Sequence, residues 1–122
     1  MGSKKLPRLT HLQFLVLGLL RNGEQPGRIV RDALAEHGVK RTAPAFYQLM
    51  ARLERDGLIE GRYEQITVRD QAVTERRYRL EPAGARLWSD ARDFYAQVAS
   101  RGAGARLFAF ASSRLRRNKS DA

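Results

Sequence analysis

Gln48 and Arg52 stand one helical turn apart in the stretch FYQLMARLERDGLIEG, residues 46–61. A glutamine amide matches the N6 and N7 edge of adenine, and an arginine fork matches O6 and N7 of guanine; each such pair discriminates by about 1–3 kcal/mol. An i, i+4 spacing puts both on one face of a helix. Lys40 and Arg41 lie just upstream, at a helix N-terminus, where a cation suits a phosphate. Thr42 and Ala45 fall in the opening turn of the same helix. Arg69, Arg76 and Arg77 follow downstream and could reach phosphates or a minor groove. The bland alternative is a wet helix face and cross-strand pairs. Arg76 or Arg77 could meet Glu75 or Glu64, and Arg55 is expected to stay solvated beside Asp56. Exposed pairs of that kind contribute little.

Other chemistries find no support. The chain has no cysteine, and its two histidines, His11 and His37, are far apart with no HxxE or HxxxH pattern, so no metal site is expected. No nucleophile has a base and orienter nearby, and no glycine-rich phosphate loop is present, so neither an enzyme nor a cofactor is expected. Charge points to a polyanion instead: 23 Lys and Arg against 13 Asp and Glu give a formal +10 in 122 residues. The excess is uneven. Residues 1–41 and 82–122 each carry +5, whereas residues 42–81 hold seven basic and seven acidic side chains. A neutral middle cannot hold DNA by bulk attraction, so contacts there must come from individually placed residues. No apolar run reaches the roughly 18–20 residues of a membrane span. The start, MGSKKLPRLT, lacks a signal-peptide core, and a cytoplasmic location (nucleoid-associated in a bacterium) is the expectation.

The elements that must position these residues are legible. Thr10 and Gln13 form a capping box for a first helix, apolar on nearly every side from Leu12 to Leu20 and therefore expected deep in the core. Asn22-Gly23 stops it. Pro26 opens a second helix with Ile29, Val30, Ala33, Leu34 and His37 on one face, ending at Gly38. Thr42 caps a third, with Pro44 in its first turn and Phe46, Leu49, Met50 and Leu53 as the buried stripe, ending at Gly57. Leu58-Ile59 with Tyr63 to Val68, then Thr74 to Leu80, read as two strands around a loop Arg69-Asp70-Gln71-Ala72. Tyr78 and Leu80 share one face, Arg77 and Arg79 the other. Pro82 opens a long fourth helix with an apolar stripe of Leu87, Trp88, Ala91, Phe94, Tyr95 and Val98. The expected class is mainly α with a small β-hairpin: a winged helix-turn-helix followed by a helix, on one domain's worth of chain. The expected divisions are a flexible basic segment 1–9, the winged helix 10–81, the long helix 82–101 and a basic tail 102–122. The tail could form a short amphipathic helix through Leu107, Phe108, Ala111 and Leu115.

FYQLMARLERDGLI resembles the recognition helix of the PadR-like transcriptional regulators, roughly LYPxLxRLExxGLI. ERRYRLEPAG, residues 75–84, is similar to the family's RKYYRLTEAG, and Gly27 of PGRIV fits the opening LGLL…HGYEI. The similarity spans about residues 9 to 100. Arg28 replaces an aromatic, Pro44-Ala45 replace Gly-Thr, Gln48 replaces a proline and Glu81 a threonine cap.

The resemblance implies a DNA-binding regulator acting as a homodimer on a pseudo-palindromic operator. The helix at about 42–56 would lie in the major groove, with the wing at about 58–80 on the backbone or minor groove; repression is the expected sense. It implies that the Tyr47 hydroxyl bonds a phosphate and that the fourth helix pairs with its counterpart. It also implies that Trp88 could stack a flat aromatic effector, against the plainer reading of Trp88 as core. A winged-helix protein-interaction module and a sequence-indifferent nucleic-acid binder are the alternatives.

Overall fold

The computed structural model describes residues 8–101; the expected N-terminal segment up to residue 7 and the tail from 102 lie outside the described residues. Residues Arg8–Trp88 form one compact unit, and residues 89–101 belong to a second. The elements run α1 (His11–Leu19), β1 (Gln25–Pro26), α2 (Gly27–Glu36), α3 (Ala43–Arg55), β2 (Ile59–Val68), β3 (Gln71–Leu80) and α4 (Pro82–Ala99). The class is mainly α with a small antiparallel sheet, a winged helix-turn-helix.

The capping box opens α1 as expected. The Gln13 backbone N–H donates to Thr10 Oγ1 at 3.1 Å, and the Thr10 N–H donates to Gln13 Oε1 at 3.1 Å. One expectation for α1 fails. Val16, Leu17 and Leu20 are buried, but Leu12, Phe14, Leu15 and Leu19 are only partly covered. A helix has one face toward the rest of its unit, and residues a third of a turn away fall outside it. The same geometry corrects α2, where Val30 and Leu34 are buried while Ile29 is 39% exposed and His37 is exposed.

Helix α3 is fixed at both ends. Thr42 Oγ1 accepts from the Ala45 N–H at 3.2 Å, a cap worth about 1 kcal/mol. At the other end, Leu58 N–H donates to the Leu53 carbonyl and Gly57 N–H to that of Glu54, both at 3.0 Å. That pairing is a Schellman motif, and Gly57 supplies its left-handed residue at φ 74°. The chain thus turns directly from α3 into β2.

The sheet is three-stranded, in the order β1-β3-β2 and antiparallel throughout. Its short edge strand β1 was not expected from sequence. Two residues are too few to show alternation, and Pro26 lacks the N–H a longer strand would need. The expected four-residue loop is also corrected. Val68 pairs with Gln71 and Thr67 with Ala72, leaving a two-residue turn, Arg69-Asp70. Both turn residues have positive φ, 53° and 63°, as in the tight turns whose twist matches that of paired strands. Neither is glycine, so the sequence carries no strong signal for so tight a turn.

The core of the Arg8–Trp88 unit joins α1, α2 and α3 to the root of the sheet: Val16, Leu17, Leu20, Val30, Leu34, Phe46, Met50, Leu53, Ile59 and Tyr78 are all at most 2% exposed. The first turn of α4 sits against the α3–β2 junction. The Glu81 N–H donates to the Leu58 carbonyl at 3.0 Å, and a Cβ on Gly84 would overlap that same oxygen. Only a bare Cα fits there.

Candidate nucleic-acid interface

Burying Phe46, Met50 and Leu53 turns the opposite face of α3 outward, exposing Pro44, Tyr47, Gln48, Ala51, Arg52 and Arg55. Two clefts flank this ridge. One, of about 360 Å³, brings Arg41, Ala45, Gln48 and Arg52 together beside Thr10 and Gln13 at the start of α1. Arg41 is exposed, and its carbonyl accepts from Arg31 Nε at 3.0 Å, which ties the turn before α3 back to α2. Lys40 is exposed in the same turn, and Thr42 serves as the cap. The cleft thus gathers Arg41, Ala45, Gln48 and Arg52, with Leu12 and Leu49 also on its wall.

Tyr47 turns to the other side. Its ring meets Phe46 edge-on at 5.0 Å and lies over Gly27 at the start of α2. It lines the second cleft, of about 480 Å³, with Arg28, Glu75 and Arg76 and the apolar wing residues Ile66, Val68 and Val73.

The wing arginines divide sharply. Arg62 grips Glu24 with two bonds, at 2.9 and 2.7 Å, and Arg77 Nε donates to the same carboxylate at 2.8 Å. Hydrogen bonds from Arg62 and Arg77 hold the Glu24 carboxyl down at about 2. Arg77 also bonds Glu75 at 2.9 Å, and Arg79 reaches Glu60 at 2.6 Å. Arg76 Nη2 donates to Glu54 of α3 at 2.6 Å, with its guanidinium 4.4 Å from the Tyr63 ring centre. Partial burial disfavours the Arg76 cation, but Glu54 and Tyr78 together outweigh this and raise its pKa. Burial pushes the neighbouring Tyr78 hydroxyl up to about 12, against the pull of Arg76. Arg76 and Arg77 are thus structural ties at the wing root, and either would have to leave a carboxylate to meet a phosphate. Arg69, at the apex of the wing, is exposed and has no ion-pair partner among the described residues.

On α4, Ala91 is buried, Leu87, Trp88 and Phe94 are partly covered, and Tyr95 and Val98 are 43% and 54% exposed. Trp88 stacks on Phe14 with centroids 5.5 Å apart and planes 7° from parallel, and the Arg21 guanidinium lies 4.1 Å from its ring centre. An apolar cavity of about 410 Å³ beside it is lined by Phe14, Leu15, Gly18, Leu34 and Val39, with His11 and His37 also on its wall. Among the described residues no group of three or more His, Asp or Glu is placed to hold a metal ion, and no helix is long and apolar enough to cross a membrane.

Arg28, absent from the residues expected at the interface, is exposed and lines the second cleft. A cation in the first turn of α2 opposes the helix dipole, and the carboxylate that pairs with it, Glu75, is 47 residues away in sequence. Such a local conflict marks a place where another demand outweighs stability.

No family model and no curated protein matches the chain. Solved structures do match it in fold. A PadR family transcriptional regulator from Eggerthella lenta is 28% identical, with a TM-score of 0.57, over 73% of this chain and 75% of that one. A PadR family transcription regulator from Clostridium difficile has a TM-score of 0.63 at 15% identity, over 73% and 91% of the two chains. Bacillus subtilis PadR, solved in complex with operator DNA, is 24% identical with a TM-score of 0.56, over 66% of this chain. The match covers 47% of that protein's length, so this chain spans about half of it. The fold is the winged helix-turn-helix of PadR-family structures.

Proposed function

We propose that the chain is a PadR-like transcriptional regulator, a repressor that binds a pseudo-palindromic operator as a homodimer. Helix α3 enters the major groove, where Gln48 and Arg52 read base edges while Lys40, Arg41 and the Tyr47 hydroxyl hold phosphates. The wing apex carries Arg69 to the backbone or minor groove. Half-sites lie about one helical turn, ~34 Å, apart, as two-fold symmetry requires.

The observation that carries this reading is the division of the cations. Of the five arginines on the β2–β3 hairpin, four are held by glutamates, and the one without an ion-pair partner among the described residues is Arg69 at the tip. Arg41, Arg52 and Lys40 are likewise exposed and free of ion pairs among the described residues. A protein that binds polyanions by bulk attraction has no reason to neutralise the body of its wing and leave the apical arginine without a carboxylate. The exposed Tyr95 and Val98 on α4 support a helix-pairing face, and the operator complex of Bacillus subtilis PadR supports the ligand class.

Selection of binding sites from random duplex DNA at physiological salt tests the reading. The expected result is an enriched two-fold site whose preference, rather than its background affinity, is lost in Gln48→Ala and Arg52→Ala. No enriched site would overturn it in favour of a protein-interaction module. Equal losses on enriched and random duplexes would favour a sequence-indifferent binder.

A further inference from the structure

Resting on that reading, we propose that the cleft between α3 and the wing holds one DNA strand, and that Arg28 closes on its phosphate by exchanging the Glu75 carboxylate for it. If α3 occupies the major groove and the wing the adjacent minor groove, the backbone between those grooves must cross this cleft. Its walls suit that cargo. Tyr47 and Arg28 stand on one side, and Ile66, Val68 and Val73 present an apolar surface on the other, where a deoxyribose can pack.

Arg28 is built to change partners. Its side chain is 64% exposed, and its one ion pair among the described residues is a single Nε contact to Glu75 at 3.3 Å, the loosest arginine–glutamate hydrogen bond in the wing region. Glu75 is only 9% exposed, and an unpaired carboxylate there would be costly, but Arg77 also holds it at 2.9 Å. Releasing Arg28 therefore leaves Glu75 partnered. The exchange replaces a one-point contact with a guanidinium fork on phosphate, the geometry arginine favours. Among the described residues no side chain caps the N-terminus of α2, so the positive end of its dipole adds to the attraction for an anion beside Arg28.

The test uses the 122-residue chain, a selected duplex and a random-sequence duplex of the same length. Arg28→Ala is expected to weaken both duplexes by the same factor, about tenfold at 50 mM salt, and to make the salt slope shallower by about 0.9. That change in slope shrinks the gap between wild type and variant about 3.5-fold on going from 50 to 200 mM salt. Arg28→Lys keeps the charge and should keep the slope while losing part of the affinity. Glu75→Gln removes the competing carboxylate and should tighten both duplexes more than Glu60→Gln does, the latter serving as control for the net-charge change. An unchanged slope in Arg28→Ala, or a loss confined to the selected duplex, overturns the clamp and leaves the regulator reading standing. Failure of the wild-type chain to bind either duplex overturns both.

Discussion

Gly84→Ala is expected to destabilise the protein, although the usual rule says otherwise. Position 84 lies in the first turn of α4, and alanine is a better helix former than glycine by about 1 kcal/mol. Against this, a Cβ at Gly84 would overlap the Leu58 carbonyl oxygen and lie 3.0 Å from the carbonyl carbon. Ordinary van der Waals contact begins only at 3.4 Å, and a backbone carbonyl cannot rotate away as a side chain can. The same oxygen accepts the Glu81 N–H at 3.0 Å, so moving α4 outward also breaks that bond. Overpacking against fixed backbone costs about 3 kcal/mol and the lost hydrogen bond about 1 kcal/mol; offset by helix propensity, the net is a loss of about 3 kcal/mol. Thermal unfolding followed by circular dichroism should show a Tm lower by about 15 °C. A Tm equal to or above that of wild type would refute the reasoning, because helix propensity would then outweigh the clash with the Leu58 carbonyl. The glycine of ERRYRLEPAG is thus explained by its seat against the α3–β2 junction rather than by any part in binding.

Asp70→Gly removes a non-glycine residue from the left-handed region at the wing tip (φ 63°) and is expected to stabilise the hairpin by about 1 kcal/mol, read as a rise in Tm. Lowering pH tests the wing root. The Glu24 carboxyl sits at about 2 in the folded chain against an ordinary 4.5, so its contribution is complete above pH 4.5 and is lost as pH falls toward 2. Urea midpoints measured at pH 6 and pH 3 should fall further for wild type than for Glu24→Gln, and equal falls would show that the carboxylate carries no such linkage. Val98→Glu places a charge on the exposed apolar face of α4 and is expected to shift sedimentation from dimer to monomer without lowering Tm by more than a degree or two; an unchanged sedimentation coefficient would move the pairing surface elsewhere.

Much of the fold was legible because the signals are local. The Thr10–Gln13 and Thr42 caps, the stop at Gly57 and the stripe of α3 (Phe46, Met50 and Leu53 buried, Leu49 only partly covered) each depend on residues within about two turns of one another, so the chain displays them directly. The errors share an opposite character. Strand β1 exists only because Gln25 meets Tyr78 across the sheet, and the tight Arg69-Asp70 turn is dictated by pairing register rather than by turn residues. Which side of α1 or α2 is covered depends on neighbours that hydrophobicity alone does not name.

The candidate interface divides in the same way. Helical periodicity was enough to put Gln48 and Arg52 on one outward face, and the charge count was enough to exclude bulk attraction through the middle of the chain. Tertiary structure alone decided which arginines are free to act. Glu24 lies 53 residues from Arg77 and 38 from Arg62, yet it holds both, while Arg69 is left unpaired among the described residues at the apex. An ion pair is a matter of a few ångströms, and only folding sets distances between residues so far apart along the chain.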